Sequence, residues 1–592
     1  MKRRVRILCN IFIFSLFTCA GLSAQTPAFP TAEGYGKYAT GGRGGQVVFV
    51  ENLDDYIAYN NLEAPIPGSF RWALTQYPGE PLTVIFRVSG TIKLKPYIVS
   101  TKNLNDIRCS RANLTIAGQS APGQGICIRN SKVNLGGSTD LIIRDMRFRI
   151  GENAADSTFI PGGSVGCENA TRVIFDHCVF GWSGEENLTM YDNRFTTVQW
   201  SIFHEALYDD GHGKGNRGYG GQLGGVNATL HHNLFAHNQS RSPRLNGART
   251  ETEIRVFIEY INNVNYNWGS TEAAYGGDVN TGTLRSHTAN FVANYYKPGP
   301  ATSSTRRFFT NYIVNGANLP KWYLTGNIMD GNPAMSADNW TGFATKWSGT
   351  AGTTLPTKEQ LASDTLLFPP QSLVYNGEWI GYQKYKINME SAENAYQSVL
   401  SKAGTIYRDS VERRVIKEVK TGTAIYSASL GKPGIIDKSY NAEGYLDYPE
   451  AVPPVDNDRD GMDDAWETAN GLNPADPSDR NLKTTEGYTA LEVYLNSLMG
   501  EMINHDFNTN GTSEINARQI SIYPSIVEDK ISIVSDVPLT SASIFSLSGI
   551  KLYSIENSQI NSIDATFLSQ GCYLLTIGNE NGVLKHFKFI KE

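Results

Sequence analysis

The sequence has little of what marks several classes of protein. Only seven of its 592 residues are cysteine, and 19% are charged. Apart from one stretch near the N-terminus it has no long apolar run, which excludes a polytopic membrane protein. It also has no block of basic residues, and its formal net charge of −6 argues against a nucleic-acid-binding protein. The 40% apolar content excludes a wholly disordered chain.

The first 24 residues have the pattern of an export signal. Its basic residues come first: Lys2, Arg3, Arg4 and Arg6. An apolar stretch, residues 7–22, follows, and the small residues Ser23 and Ala24 suit a cleavage site that would leave Gln25 as the new N-terminus. A membrane anchor is the alternative interpretation of this segment.

Five cysteines follow the predicted signal: Cys109, Cys127, Cys167, Cys178 and Cys572. An odd and sparse set does not make a complete disulfide framework, and none of the spacings is that of zinc ligands. We therefore expect these cysteines to be buried apolar side chains.

Short apolar segments recur about every thirty residues through the middle of the chain. They are rich in β-branched and aromatic residues and are bounded by turn residues: 113–118, 141–148, 173–180, 198–203, 228–235, 256–268 and 291–296. Units that bury their apolar faces only by stacking on each other are typical of a solenoid. We therefore predict an all-β fold, a parallel β-helix, with a β-sandwich as the less favoured alternative. The asparagines at the strand ends are expected to form a polar ladder: Asn233, Asn262, Asn263 and Asn294.

Four separated segments resemble the bacterial pectate lyases of polysaccharide lyase family 1: 29–45, 113–130, 174–183 and 230–247. The resemblance extends from about Phe29 to Ala451. It implies a right-handed parallel β-helix for residues 25–450 and cleavage of pectic galacturonan by β-elimination, usually with calcium. At the C-terminal end of this domain, the spacing of Val411, Val415 and Val419 predicts an amphipathic helix that Gly422 ends.

β-Elimination from a uronate polymer requires two things of a site. The substrate carboxylate must be neutralised so that the C5 proton becomes acidic, and a base must lie within reach of that proton. By resemblance, Arg241 matches the family's catalytic arginine, Arg244 the second arginine of its motif, and Lys214 a substrate-binding lysine. Because arginine is almost always protonated, Arg241 either acts as an unusual base or stabilises the enolate. Surface salt bridges are the alternative role for these cations.

The calcium ligands that the family carries in its active site are altered here. Gly163 occupies the position of one ligand aspartate, and Glu185 and Thr189 occupy those of a further pair. Since calcium prefers oxygen ligands, we expect Glu185 and the adjacent Glu186 to hold it, with Glu168 as a compensating ligand. Exposed turn charges are the alternative. These changes leave open both calcium dependence and a preference for unesterified polymer.

A separate acidic segment, residues 456–467, has the spacing of an EF-hand calcium loop, with a glycine at its sixth position. The expected ligands are Asp456, Asp458, Asp460, Met462 through its carbonyl, Asp464 and Glu467. The loop occurs once and follows a proline-rich linker. We therefore predict a structural calcium ion in a small module, residues 451–500, which Trp466 and Leu472 anchor to a helical cap.

After a predicted linker at 501–516, residues 517–592 alternate in polarity like the strands of a small β-sandwich. They resemble the C-terminal sorting domain of the type IX secretion system, with a carbohydrate-binding sandwich as the alternative. We therefore expect a monomer that is secreted or held at the outer-membrane surface. Its expected partners are the secretion machinery and pectic polysaccharide, without nucleic acid.

Together with the resemblance, these segments imply a secreted or surface-displayed polysaccharide lyase that acts on pectic galacturonan, with structural calcium in the acidic segment and a sorting domain at its C-terminus. Two alternatives are a pectin lyase, acting on methyl-esterified polymer without calcium, and a non-catalytic pectin-binding protein. A glycoside hydrolase on the same coil would need a carboxylate pair as acid and base, and the family motifs already account for the acids present.

Overall fold

A computed structural model describes residues 25–100, 102–152, 162–247, 255–277, 286–313, 319–348, 354–369, 374–375, 378–379, 385–507, 520–523, 526–535, 538–546, 551–556, 559–579 and 582–591. The predicted export signal, residues 1–24, lies outside them. The chain divides into two compact units, Met1–Phe507 and Asn508–Glu592. No helix in the described part of the chain is long and apolar enough to cross a membrane.

The first unit is a coil of three parallel sheets. The first sheet contains Gln46–Val50, Leu82–Phe86, Ala112–Ala117, Thr139–Arg144, Thr171–Asp176, Arg194–Gln199, Val226–His231, Arg255–Ile261, Ser286–Val292 and Lys321–Thr325. The second contains Gly90–Lys93, Ile126–Arg129, Arg147–Arg149, Val179–Gly181, Ile202–His204, Leu234–Ala236, Val264–Tyr266, Tyr295–Lys297 and Ile328–Met329. The third contains Ile107–Arg108, Val133–Asn134, Val165–Gly166, Leu188–Thr189, Gln222–Leu223, Arg244–Leu245, Glu272–Gly276, Arg307–Ile313 and Phe343–Trp347. Each strand pairs in parallel with its equivalent in the next turn, which confirms the parallel β-helix.

Shorter elements flank the coil. The α-helices are Phe70–Thr75, Pro333–Ala337, Lys358–Leu361, Ala392–Lys402, Ser410–Thr421, Asp464–Ala469 and Ala490–Leu498. The 3-10 turns include Tyr59–Asn61, Gly118–Ser120, Asn339–Gly342, Ser439–Asn441 and Asp479–Asn481. Two small antiparallel pairs join Ile98–Val99 to Lys102–Asn103 and Val374–Tyr375 to Glu378–Trp379.

Most of the segments predicted as single strands span two strands and the corner between them. Segment 173–180 contains the end of Thr171–Asp176 in the first sheet and the start of Val179–Gly181 in the second. His177 lies between them with a φ of 52°, and Trp200 and His232 have φ values of 50° and 53° at the same corner of later turns. A residue in the left-handed region redirects the chain from one sheet to the next.

An asparagine ladder lines this corner. The Oδ1 atoms of Asn263, Asn294 and Asn327 accept hydrogen bonds of 2.9–3.0 Å from the backbone N–H groups of Asn233, Asn263 and Asn294, respectively. Each side chain thus satisfies the buried backbone of the neighbouring turn. The prediction for Asn262 was wrong: its amide donates to two main-chain carbonyls outside the ladder, because adjacent corner residues point in different directions.

Aromatic side chains stack through the interior of the coil. The rings of Phe148, Phe180, Phe203 and Phe235 follow one another at centroid distances of 5.7, 4.9 and 4.5 Å. Four of the five cysteines described are free and buried, as predicted, and Cys572 is half-buried.

The outer faces of the first two sheets are covered. Backbone N–H groups of residues 35, 36 and 42 donate to Thr229, Thr197 and Thr115 of the first sheet, so the segment after residue 25 lies across it. The helices Ala392–Lys402 and Ser410–Thr421 pack on the second sheet. The latter confirms the amphipathic helix, and Gly422 ends it in the left-handed region that glycine favours.

Residues 451–507 pack on the first sheet as part of the first unit. Leu472, Leu491 and Tyr494 share a core with Phe49 and Ile85 of the coil, and Trp466 packs against it. The side chains of residues 503 and 507 are also buried there, so the first part of the predicted 501–516 linker is folded. The rest of that linker, residues 508–516, lies outside the described residues.

The second unit is a small β-sandwich. One sheet contains Ile520–Tyr523, Lys530–Ser535 and Ser562–Asp564. The other contains Ile526–Val527, Ser541–Ser546, Lys551–Glu556, Gly571–Asn579 and Gly582–Lys591. Side chains of both sheets, among them Ile531 and Leu575, share one core.

Candidate active site and calcium loop

The predicted catalytic residues meet on the outer face of the third sheet. Strand register places Gly166, Thr189, Gln222, Arg244 and Tyr275 side by side in one row. Their chain neighbours along each strand point into the core, because successive strand residues face opposite sides. A pocket of about 250 Å³ lies over this row.

Arg241 lies three residues before Arg244 of this row, and its side chain lines the same pocket. Its backbone has a φ of 56°, in the left-handed region. Its guanidinium lies 3.8 Å from the ring centroid of Tyr219, donates from Nε to the Tyr275 hydroxyl at 2.9 Å, and forms an ion pair with Glu186. Burial alone would lower the pKa of Arg241. Interactions with Tyr275, Glu186 and Tyr219 outweigh burial and hold this pKa above its ordinary value. Arg241 is therefore protonated in this arrangement.

Lys214 and Glu185 form a second ion pair at the edge of the pocket. The Lys214 Nζ donates to Glu185 Oε1 at 2.9 Å, and His212 Nε2 lies 3.4 Å from the same oxygen. Burial raises the pKa of Glu185, but the Lys214 hydrogen bond and the nearby positive charges lower it more, so the carboxyl is ionised. The Lys214 side chain is 68% exposed and free to turn toward a ligand.

Lys132 is a pocket residue that sequence reasoning missed. Its Nζ lies 3.9 Å from Glu168 Oε1. Its side chain passes over Gly166, and a Cβ atom added to that glycine would lie 2.7 Å from the lysine Nζ. It precedes the two-residue strand Val133–Asn134, which is too short to show a periodic pattern. Five cations therefore line the pocket beside three carboxylates: Lys132, Lys214, Arg217, Arg241 and Arg244.

The predicted ligands of an active-site calcium ion do reach this pocket. Glu185 and Glu186 line it together with Glu168 and Thr189, and a Cβ at Gly163 would lie 3.0 Å from the carbonyl oxygen of Glu186. Each carboxylate already has a cationic partner. Glu185 pairs with Lys214, Glu186 with Arg241, and Glu168 with Lys132. Within the described ranges these carboxylates are not among the acid groups close enough together to hold a metal ion. The three carboxylates are held by cations rather than facing one another, and calcium binding by Glu185 and Glu186 stays a prediction.

The acidic loop after residue 455 differs in this respect. Asp456, Asp458 and Asp460 form one group, and Asp460, Glu467 and Asp479 a second, with oxygens within 4.8 Å of one another. Asp460 and Glu467 are fully buried, and neither Glu467 oxygen has a hydrogen-bond partner in the part of the chain that the structure describes. Burial and the neighbouring carboxylates raise the pKa of Asp460 to about 7 and of Glu467 to about 8. Asp456 forms an ion pair with Arg87 at 3.3 Å, while the buried Asp460 and Glu467 face other carboxylates, an arrangement that fits calcium.

The observed cluster differs from the predicted ligand set at two positions. Asp464 lies outside both groups, and its oxygens accept hydrogen bonds of 2.9 and 2.5 Å from the backbone and side chain of Asn457. This suits a loop position that often binds calcium through water. Asp479, which follows the loop in sequence, joins the cluster instead. Met462 is buried, and its carbonyl stays a predicted ligand.

The C-terminal unit matches a known domain. Residues 521–592 match the secretion system C-terminal sorting domain, as their resemblance to the type IX sorting domain predicts. The protein is therefore exported to the cell surface or the extracellular space.

The first unit has relatives over most of its length. A probable pectate lyase C of Aspergillus flavus is 30% identical over 495 residues, which cover 82% of this chain and 98% of that protein. A probable pectate lyase C of Aspergillus terreus is 29% identical over 508 residues, covering 83% and 98%. The structure of a pectate lyase from Bacillus sp. N165 in complex with trigalacturonate aligns with a TM-score of 0.39 at 19% identity, covering 63% of this chain and 98% of that one. The chain belongs to the pectate lyase family and ends in a type IX sorting domain.

Proposed function

We propose that the protein is an extracellular lyase that cleaves pectic α-1,4-galacturonan by β-elimination. The observation that carries this proposal is the pocket on the third sheet, which five cations line in a chain of net charge −6. Each sugar of the polymer bears a carboxylate, so a local concentration of positive charge attracts and orients it. Family membership supports the same reaction.

In the proposed mechanism, the cations neutralise the substrate carboxylate. Lys132, Lys214 and Arg244 surround the row on which a sugar would lie, and charge-assisted contacts to its carboxylate make the C5 proton more acidic. Arg241, protonated before the substrate arrives, stabilises the negative charge that develops on the carboxylate. Water in the open pocket takes the C5 proton. The electron pair of the C–H bond then forms the double bond between C4 and C5, the bond from C4 to the linking oxygen breaks, and that oxygen takes a proton from water to leave as a hydroxyl.

We assign the protein's calcium to the loop rather than to the pocket. Because Glu185 and Glu186 are paired with cations, no step of the reaction is routed through a metal there. At the loop, calcium would neutralise Asp456, Asp458 and Asp460 together with Glu467 and Asp479. Its role is structural, since the loop belongs to the module that packs on the first sheet.

A pectin lyase acting on methyl-esterified polymer is the second candidate. The pairing of every pocket carboxylate with a cation favours it, because such an enzyme needs no calcium in its groove. The number of cations favours the unesterified polymer instead, since methyl esters remove the charge that Lys132 and Lys214 would bind.

The test is the ultraviolet absorbance of the unsaturated product. Purified protein is incubated with polygalacturonate and with highly methylated pectin, alongside an Arg241→Ala variant. Faster product formation on polygalacturonate, lost in the variant, would support the proposal. A signal on methylated pectin alone would assign the pectin lyase activity. Folded protein with no signal on either polymer would contradict both.

A further inference from the structure

A second groove lies at the corner between the first and second sheets. It has a volume of about 740 Å³, and ten residues line it. His177 lies at the corner, and Lys402 ends the helix Ala392–Lys402. We call it the corner groove; its lining residues used below are His177, Lys402, Ile406, Tyr407, Arg408 and Arg413. The candidate active site lies on the third sheet, so the two pockets lie on different parts of the coil.

The corner groove carries positive charge alone. Lys402, Arg408 and Arg413 line it, and none of its ten residues is an aspartate or glutamate. Arg408 donates to two main-chain carbonyls, Arg413 donates to the Arg408 carbonyl, and Lys402 lies 5.2 Å from the ring centroid of Trp200. Among the described residues, none of these three cations forms an ion pair with a carboxylate. Their charge is available to an anion.

Carboxylates beneath the groove do not cancel this charge. Asp409 and Glu412 are buried and form ion pairs with Arg149 and Arg147 at 2.5 and 2.6 Å. Asp145 is also buried, where it accepts the backbone N–H of residue 406, and burial raises its pKa to about 6. These three carboxylates are therefore paired with buried groups beneath the groove and do not neutralise the cations that line it.

Tyr407 presents an aromatic ring beside the cations. Its side chain is 62% exposed. Its backbone is held in place, because its carbonyl accepts from Arg147 at 2.5 Å and the N–H of the preceding Ile406 donates to Asp145 at 2.7 Å. A ring on an anchored backbone loses little conformational freedom when it stacks on a ligand. Exposed aromatics with an apolar face and a polar tip are common at binding surfaces.

We propose that the corner groove is a non-catalytic binding site for an acidic uronate oligosaccharide. Lys402 and Arg413 would pair with the carboxylates of successive sugars, while the Tyr407 ring would stack on the apolar face of one of them. The proposal rests on the proposed function, because it takes the ligand to be the same acidic polymer. Bound at a second face, the enzyme stays on the polymer while the pocket on the third sheet cleaves it.

The test is electrophoresis of the full chain in a native gel that contains polygalacturonate, with Arg241→Ala as the non-cleaving background. Two groove variants, Tyr407→Ala and the double variant Lys402→Ala/Arg413→Ala, are compared with matched controls. Tyr440→Ala removes a tyrosine that is 64% exposed outside the groove, and Lys321→Ala/Lys358→Ala removes two surface charges elsewhere. We expect polymer affinity to fall about fivefold in each groove variant and to hold in the controls. In the cleaving background, rates on trigalacturonate should be unchanged.

Other outcomes would overturn the proposal. Equal migration of groove and control variants, or no retardation of the parent, would show that the groove does not bind the polymer. Equal retardation in dextran sulfate would show attraction to any polyanion. Loss of cleavage of trigalacturonate in the Tyr407→Ala variant would show that the residue serves the active site. The proposed function fails separately, through absence of unsaturated product from the parent enzyme.

Discussion

The loop at 456–479 and the pocket on the third sheet both collect carboxylates, yet they surround them differently. In the loop, Asp460 and Glu467 are buried among other acids, and their unpartnered oxygens face each other. In the pocket, Glu185 and Glu186 each contact a cation from another turn of the coil. The difference teaches that neighbouring charges, as well as the number of acids, set what a group of carboxylates can hold: ion-paired carboxylates keep cations in position, whereas buried acids that face each other suit a metal ion.

A third situation completes the comparison. Glu259, on the first sheet, is fully buried and accepts a hydrogen bond from Thr229 at 2.9 Å, while its other oxygen has no hydrogen-bond partner among the described residues. Burial raises its pKa to about 7, and no charged group of the described residues contributes to that shift. A lone buried carboxyl responds by holding its proton.

The largest expected effect comes from removing the central cation of the pocket. Arg241→Ala should lower the rate of product formation by about 10³-fold, because it removes the group that stabilises the developing negative charge. Arg459→Ala, at an arginine 54% exposed on the loop, is the matched control and should leave the rate unchanged. A rate for Arg241→Ala within about twofold of the parent would show that Arg241 has no role in the reaction.

Removing calcium should lower the stability of the protein rather than its rate of product formation. The proposed assignment places calcium in the folded loop alone, so saturating calcium should raise the free energy of unfolding by about 3–4 kcal/mol relative to chelator. Glu467→Gln should reduce that difference, and thermal unfolding followed by circular dichroism measures it. Glu185→Gln is the control in the pocket. If it reduced the calcium effect as much as Glu467→Gln, calcium would not be confined to the loop.

Glu259→Gln should make the protein more stable at neutral and alkaline pH. The pKa of Glu259 is raised in the folded state, so its contribution to stability is fully present below pH 4.5 and is lost as the pH rises to about 7. The loss amounts to about 3 kcal/mol at most. Urea unfolding at acidic and alkaline pH, with and without the substitution, measures it. A parent and variant with the same pH dependence would contradict the raised pKa.

The smallest expected effect is at Lys132, which sharpens the account of the pocket. Lys132→Ala should lower the rate on polygalacturonate about tenfold, because it removes one of several contacts to the substrate carboxylate. On methylated pectin it should have little effect. Lys95→Ala breaks a lysine–glutamate pair that is more exposed and lies outside the pocket, and serves as the control. An equal loss on both polymers would indicate a structural role for Lys132.

Much of this fold could be predicted from the sequence, since stacked turns repeat their apolar pattern. The corners could not: His177 and His232 look like strand residues, and only their left-handed backbone shows where the chain changes sheets. Arg241, Arg244 and Lys214 were found through a family motif. Lys132 was missed because strands of two residues have no period, and their neighbours are known only from the register of the coil.

The acidic loop at 456–479 shows the same limit. Its spacing predicts Asp456, Asp458, Asp460 and Glu467, which do converge. Asp479 lies outside any loop template and reaches the cluster only because the chain folds back after the helix Asp464–Ala469. Local spacing therefore predicts ligands within one loop, while ligands from elsewhere depend on tertiary folding.

The most direct test of the central claim measures activity and folding in the same sample. Product formation from polygalacturonate is followed with saturating calcium and with excess chelator, at a temperature where circular dichroism shows both samples folded. The account predicts that elimination continues in chelator at a similar rate, because side-chain cations neutralise the substrate. Loss of activity in chelator while the protein stays folded would contradict it and place calcium in the pocket beside Glu185 and Glu186.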